Sequence, residues 1–212
     1  MISGLFPEFP RLRGIVIGLG VAAALAGCSG LNLKPPPMAF YDLGLGAPAG
    51  LEPRFAPLRI EVAAPPWLAS SALQYRLQWD DPLRRRSYTE SRWVAQPADM
   101  LALALERALK PDGSGNRCRL RIEVDELVQV FDDVERSRVE VVLRAGLVPP
   151  RSDEALAQRE FRADVPAPSG DAVGGVGAFR AAADRLAGEL ADWIATLHRA
   201  GPPLDAGTRC RG

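Results

Sequence analysis

The chain has 212 residues, with 26 basic and 26 acidic side chains, so its formal net charge is zero. A neutral chain lacks the excess of positive charge that draws proteins to nucleic acid, which argues against a nucleic-acid partner. The length is sufficient for one domain with its own hydrophobic core.

The N-terminal segment has the pattern of a secretory signal. Arg11 and Arg13 precede an apolar run over residues 14–27, and this run ends in small residues directly before Cys28. A basic start, an apolar core and small residues at the end are typical of signal peptides. The run is shorter than the ~20 residues that a membrane-spanning helix needs, and a buried core helix would not need charges only in front. The ending Leu25-Ala26-Gly27-Cys28 resembles the lipobox of bacterial lipoproteins, in which the cysteine is acylated and the chain is cleaved before it.

We therefore expect residues 1–27 to be a lipoprotein signal peptide and Cys28 to be lipidated, which brings the chain into contact with membrane lipid. In Gram-negative lipoproteins an aspartate after the cysteine usually signals retention at the inner membrane, and Ser29 stands there instead. The expected location is the inner leaflet of the outer membrane, facing the periplasm. Residues 28–38 then form a tether, because three consecutive prolines favour an extended, semi-rigid chain.

The two remaining cysteines are candidates for a disulfide. Lipidation of Cys28 leaves Cys118 and Cys210 as an even pair in an oxidising compartment. The tail around Cys210 is rich in glycine and proline and has little else to fix it. We expect a bond that contributes about 4–5 kcal/mol on the chain-entropy model, with two unpaired thiols as the alternative.

Alternating apolar and polar residues predict strands over residues 40–45, 58–62 and 73–77. Residues 80–82, Asp-Asp-Pro, have the composition of a turn. The arginine run at 84–86 follows it, and a short charge run of this kind is usually a solvated loop.

A first amphipathic helix is predicted to begin at Pro97, which suits the first turn of a helix. Leu101, Leu105 and Leu109 recur at helical spacing and form one apolar stripe. The turn-forming residues 111–116 end it.

Three further alternating segments, 119–131, 139–147 and 156–165, predict an antiparallel meander. A slip in the alternation at Asp125-Glu126 indicates a bulge. A long second helix follows from about Asp171 to His198, with Asp171 as its N-cap.

The order of these elements predicts an α+β fold: a single domain with a mostly antiparallel sheet and two main helices packed on one face. We place the domain at residues 39–200, followed by a C-terminal tail at 201–212 that the disulfide would fasten.

The sequence offers little for catalysis or metal binding. The only histidine, His198, lies at a helix end, where a helix-end cation is a more frequent role than a base. One histidine and two distant cysteines cannot form a zinc site. The glycines at 174–177 open a helix after a proline linker, not after a strand, and are therefore a weak phosphate loop. We expect no enzyme, no catalytic residue, no metal and no cofactor.

Aromatic residues near the arginine run suggest a contact surface, because aromatics and arginines are enriched at interfaces. Trp67, Trp79 and Trp93 lie around it in the sequence. Core positions are the alternative for Trp67 and Trp93, and Trp79, beside a turn, is expected to be the most exposed. The candidate contact residues are Trp67, Trp79, Arg84, Arg85 and Arg86.

Four short motifs, in this order after the lipobox, resemble the auxiliary lipoproteins of MCE-type ABC transport systems, a family that includes paraquat-inducible protein C. They are Phe40-Tyr41-Asp42-Leu43, Pro66-Trp67-Leu68, Leu73-Gln74-Tyr75-Arg76 and, opening the first helix, Arg92-Trp93 with Pro97. The likeness covers nearly all of the chain after Cys28. Trp67 stands where a tyrosine is usual, and the arginine run and the Cys210 tail are not general features of the family.

The resemblance implies a non-enzymatic lipoprotein that docks a periplasm-spanning MCE protein at the outer membrane, with an ATPase and a permease in the inner membrane. Such systems are thought to move phospholipid or other hydrophobic molecules between the two membranes. It also allows a homo-oligomer. The alternatives are a stand-alone lipid-binding or outer-membrane assembly lipoprotein and a periplasmic enzyme.

Overall fold

A computed structural model of the chain describes residues 37–110, 116–202 and 204–211. The predicted signal peptide, Cys28 and most of the predicted tether lie outside these residues. The strands are β1 (Ala39–Tyr41), β2 (Arg59–Ala63), β3 (Ala72–Leu77), β4 (Asp81–Trp93), β5 (Arg119–Phe131), β6 (Ser137–Val148) and β7 (Ala157–Pro166). The α-helices are α1 (Pro97–Leu109), α2 (Ala172–Arg199) and α3 (Ala206–Arg209), and a 3-10 helix spans Pro53–Phe55.

All seven strands belong to one sheet with the order β1-β4-β3-β5-β6-β7, and β2 also pairs with β5. The pairs β3–β4, β5–β6 and β6–β7 are antiparallel, whereas β1–β4, β2–β5 and β3–β5 are parallel. The antiparallel pairs are the longer ones, so the predicted α+β class with a mostly antiparallel sheet is confirmed.

One edge of β5 carries two strands end to end. β2 pairs with the first half of β5, at 119–123, and β3 pairs with its end, at 129–131. The predicted bulge lies between these halves, where the register of β5 against β6 shifts between Val124 and Glu126. Because the extra residue reverses the alternation, Val124 and Leu127 both face the helices.

Both long helices pack on one face of the sheet, as predicted. The N-cap of α2 is Asp171, whose Oδ1 accepts the N–H of Gly174 at 2.8 Å. This hydrogen bond lowers the pKa of the Asp171 carboxyl. The apolar face of α2 lies against β6 and β7, where the Phe161 and Trp193 rings meet edge to face with centroids 5.6 Å apart. In the described residues, no helix is both long and apolar enough to span a bilayer.

The chain between β1 and β2 runs along α2. The N–H of Ala47 donates to Asp184 Oδ1 at 3.0 Å, and Glu52 reaches Arg199 at 3.3 Å near the end of the helix. The predicted strand at 40–45 is therefore too long, because the chain leaves the sheet after Tyr41 to follow α2.

The C-terminal tail is fastened at the end of α2. Cys118 and Cys210, 92 residues apart in sequence, form the predicted disulfide, and both are buried. The tail also contains α3, which was not predicted, capped by Asp205 through the N–H of Thr208 at 3.1 Å.

The interpretation of residues 84–86 as a loop is wrong. All three arginines lie within β4, a strand of 13 residues. Arg85 and Arg86 are paired with carboxylates outside β4, as described next, and Arg84 is exposed to solvent.

Candidate functional site

The face of the sheet opposite the helices is covered by ion pairs between neighbouring strands. Arg144 on β6 contacts Glu123 at 2.8 Å and Asp125 at 2.7 Å, both on β5. The hydrogen bond from Arg144 lowers the pKa of the Asp125 carboxyl. Positive and negative side chains alternate here, so most of this face presents little net charge.

The charge balance changes beside β4, where two arginines share one carboxylate. Arg76 Nη2 lies 2.9 Å from Glu126 Oε2, and Arg85 donates to the other oxygen of the same carboxylate. Arg85 Nη1 also donates to Gln74 Oε1 at 2.8 Å. The cluster is mostly shielded from solvent and carries one positive charge in excess. Removing one partner of such a shielded pair is costly, because it leaves an uncompensated charge.

Trp67 lies on this cluster. The guanidinium carbon of Arg85 is 4.4 Å from the centroid of the Trp67 ring, a cation–π contact. Trp67 comes from the β2–β3 connection and Arg85 from β4, so the fold brings two of the predicted contact residues together. The Trp67 side chain is nevertheless 49% exposed.

The other predicted residues surround the β3–β4 turn. Arg86 pairs with Asp80, whereas Arg84 is exposed and forms no ion pair with another described residue. Trp79 is 49% exposed, the same fraction as Trp67, so the prediction that Trp79 is the most exposed is not met. Trp93 is fully buried in the core.

Leu83 precedes these arginines in β4 and was missed in the sequence. Its side chain is 85% exposed beside Arg84, and its only signal is an apolar residue between a turn and a charge run. We call the set Trp67, Trp79, Leu83, Arg84, Arg85 and Arg86 the β4 surface.

A buried polar network fixes β4 behind this surface. The Tyr88 hydroxyl donates to Gln129 Oε1 at 2.9 Å. Gln129 Nε2 donates to Ser137 Oγ at 2.8 Å and to the carbonyl oxygen of Asp171 at 3.0 Å. Burial, with smaller contributions from Tyr75 and Asp171, raises the pKa of Tyr88. The hydroxyl therefore stays protonated and able to donate, and the network ties β4 to β5, β6 and the start of α2.

The described residues contain no group of three His, Cys, Asp or Glu side chains placed to hold a metal ion. Burial lowers the pKa of the His198 imidazole, which disfavours the charged form at this helix end. The ring stacks on Phe55 with centroids 5.0 Å apart, and Nε2 lies 3.1 Å from Asn116 Nδ2.

Comparison with solved structures shows a shared fold. A crystal structure of a protein from Xanthomonas campestris, assigned to a domain family of unknown function, superposes with a TM-score of 0.61 at 19% identity, covering 80% of this chain and 97% of that chain. A crystal structure of an uncharacterised protein gives a TM-score of 0.57 at 14% identity, covering 74% of this chain and 99% of that chain. The comparison with curated proteins finds no match.

Comparison with protein families is more informative about identity. The model of the family described as "ABC-type transport auxiliary lipoprotein component" matches residues 47–191. The match includes β2 to β7, α1 and most of α2, and therefore the whole β4 surface. Because it spans well over half of the sequence, the chain belongs to the family of ABC-type transport auxiliary lipoproteins.

Proposed function

We propose that this protein is a non-enzymatic, lipid-anchored subunit of an ABC-type lipid-transport system, and that it docks a periplasm-spanning MCE protein at the outer membrane. The observation that carries the proposal is the family match over residues 47–191, because an auxiliary component acts through its contacts with the transporter. The ATPase and permease of such a system lie in the inner membrane, so the docked partner has to cross the periplasm.

The β4 surface is the proposed contact site. Tryptophan and arginine dominate the binding energy of many interfaces, and this surface presents two exposed tryptophans beside exposed Arg84. The Arg85 guanidinium packs against the face of the Trp67 ring. A side chain that is already held in place loses less conformational entropy when a partner binds.

The arginines of the β4 surface do not serve equally well for a test. A glutamate at position 85 would face Glu126, so the domain could lose stability and imitate a docking defect. Arg84 has no ion pair within the described part of the chain, so its charge can be reversed without breaking one.

The test is co-purification of the full-length protein with its partner from solubilised envelope. We expect Trp67→Ala combined with Arg84→Glu to reduce the recovered MCE protein at least about tenfold, since two hot-spot losses of ~1 kcal/mol or more are involved. Arg107→Glu, a charge reversal on α1, is the matched control and should leave recovery unchanged. Unchanged recovery of the MCE protein with the double variant would remove the β4 surface from the proposal. Repeated absence of any MCE protein would contradict the proposal that such a protein is the partner.

The stand-alone lipid-binding alternative predicts lipid retained on purification without an MCE partner. A cavity of about 290 Å³ lies under the β2–β3 connection, but its lining includes Glu123, Asp125 and Arg144. A charged lining of this kind does not favour a buried acyl chain, so we give priority to docking.

A further inference from the structure

A second cavity lies at the opposite side of the fold from the β4 surface, at the C-terminal end of α2. Its volume is about 310 Å³, and it opens between the 3-10 helix, α2 and the disulfide-bound tail. This volume is at the lower end of the ~300–1,000 Å³ typical of small-molecule sites. The side chains that matter here are Arg54, Phe55, Asn116, His198, Arg199 and Arg211.

Three arginines from three different segments line this cavity. Arg54 and Arg199 share the carboxylate of Glu52, at 2.8 Å and 3.3 Å. Within the described residues, Arg211 forms no ion pair. The nearby carboxylate of Asp205 accepts the backbone N–H of Thr208 at the start of α3. The arginines of the cavity therefore outnumber the carboxylate that neutralises them.

The aromatic ring of Phe55 orders two of these arginines. The guanidinium carbons of Arg54 and Arg199 lie 4.6 Å and 5.6 Å from the Phe55 centroid. Stacked guanidinium groups are partly fixed before a ligand arrives, so less entropy is lost on binding.

The hydrogen bonds of buried Asn116 fix the protonation of His198. Asn116 Oδ1 accepts the N–H of Cys118 at 2.7 Å, and Nδ2 donates to the carbonyl oxygen of Phe55 at 2.8 Å, so the amide can have only one orientation. The same Nδ2 lies 3.1 Å from His198 Nε2. Nε2 must then be an acceptor, and the single proton of the neutral ring is on Nδ1. The His198 ring, which lines the cavity, thus keeps one N–H donor on Nδ1.

The disulfide completes the cavity. The carbonyl oxygen of Cys210 accepts the N–H of Arg117 at 2.7 Å, and the bond to Cys118 holds the tail against the body of the domain. Arg211 is the next residue of that tail. The cystine thus fixes the backbone of the third arginine beside the cavity.

We propose that this cavity binds a phosphate-bearing anion. Planar guanidinium groups donate paired hydrogen bonds that match phosphate oxygens. The ligand could be free phosphate or the headgroup of a phospholipid, since both present the same chemistry to the arginines. The site is separate from the β4 surface and does not depend on docking of an MCE protein.

The chain provides its own reporter for a test, because His198 is its only histidine. The full-length protein, without tag histidines and in a maltoside detergent, is titrated with inorganic phosphate, with short-chain phosphatidylglycerol, or with sodium chloride at equal ionic strength. The imidazole signals of His198 are followed by NMR. We expect saturable shifts with a phosphate-bearing ligand, together with a higher His198 pKa, because a nearby anion favours the imidazolium.

The titration arms separate the two sources of phosphate. Saturation by inorganic phosphate alone assigns the site to free phosphate, whereas saturation by the lipid at a concentration at least about tenfold lower assigns it to a headgroup. Shifts no larger than those given by sodium chloride in both arms would overturn the proposal.

Variants then localise the binding. Arg54→Gln with Arg199→Gln should weaken it at least about tenfold, since each substitution removes a charged hydrogen-bond donor to the anion. Both side chains are largely exposed, so the fold should persist, which circular dichroism checks. Arg209→Gln on α3, which does not line the cavity, is the matched control. Wild-type affinity in the Arg54/Arg199 variant would also overturn the proposal. Neither outcome bears on docking, because the isolated protein is used.

Discussion

Gln129 lies where β4, β5, β6 and the start of α2 meet. Its side chain is completely buried, and all of its hydrogen bonds described above go to other elements. The helix approaches this side chain so closely that a Cβ atom at Gly175 would lie 2.1 Å from Gln129 Oε1. The absence of a side chain at Gly175 therefore allows the network to form.

Gly175→Ala should destabilise the domain by about 2–4 kcal/mol, because overpacking and the loss of buried hydrogen bonds add. Gly188→Ala is the matched control in the same helix, since no atom lies within 4 Å of the added methyl group. It should stabilise by up to about 1 kcal/mol through helix propensity. Urea unfolding monitored by circular dichroism measures both, and equal stabilities for the two variants would contradict the role of Gly175.

These glycines show why residue-level roles are hard to predict from sequence. Gly174 and Gly175 are visible in the sequence as a glycine-rich helix start, and a weak phosphate loop was the functional interpretation available. The physical reason for Gly175 is a glutamine 46 positions earlier in the chain. Local pattern cannot reveal a contact at that separation.

At the scale of single elements, periodicity was a good guide wherever one face of an element is buried and the other is not. The helix at Pro97–Leu109, the bulge of β5 and the N-cap of α2 all lie where alternation and capping rules predicted. β4 was missed because its arginines break the alternation. The partners of Arg85, Glu126 and Gln74, come from other strands, so the sequence around 84–86 contains no sign that this charge is compensated.

The C-terminal tail, joined to Cys118 by the disulfide of Cys210, also gives a prediction at the scale of single elements. Replacing Cys118 and Cys210 together by alanine should cost about 4–5 kcal/mol, because the bond closes a loop of 92 residues in the unfolded chain. The Arg117 N–H donates a hydrogen bond to the Cys210 carbonyl oxygen, and this amide should lose its protection from hydrogen exchange. The amides that form the β5–β6 strand pairing should keep most of their protection.

Denaturant unfolding and hydrogen exchange measure these two effects. A reducing agent should reproduce them in the wild-type chain and change nothing in the double variant. A double variant within 1 kcal/mol of wild type would mean that the tail is held by other contacts.

For the whole molecule, the fold class followed from the order of predicted elements, but the complete topology did not. The meander β5-β6-β7 joins neighbours in sequence, so short breaks between alternating runs predicted it. The parallel pairings join segments far apart in sequence: Arg59 of β2 pairs with Arg119 of β5, and Tyr75 of β3 pairs with Gln129 of β5. Both strands lie along one edge of β5, and local alternation does not indicate which part of that edge each strand occupies.

The proposed lipid anchor at Cys28 also concerns the whole molecule, since it would determine which membrane the domain serves. We predict that Cys28→Ala moves the full-length protein out of the membrane fraction, because the acyl chains supply the membrane affinity. The Cys118/Cys210 double alanine variant is the control and should stay membrane-bound. Mass spectrometry of wild type should show acylated Cys28 as the first residue. An unmodified Cys28 on a chain that retains residues 1–27 would contradict the anchor.

The path of the chain along α2 has a geometric consequence. Tyr41 pairs with Trp93, and the Trp93 ring meets Phe179 at 5.4 Å, so the first strand of the domain lies near Phe179. The arginine-lined cavity lies at Arg199, and at ~1.5 Å per residue the helix between these positions spans roughly 30 Å. The first strand and the cavity are thus held apart by one continuous helix. A ligand in the cavity would therefore stay at this distance from β1, whatever the length of the chain that precedes β1.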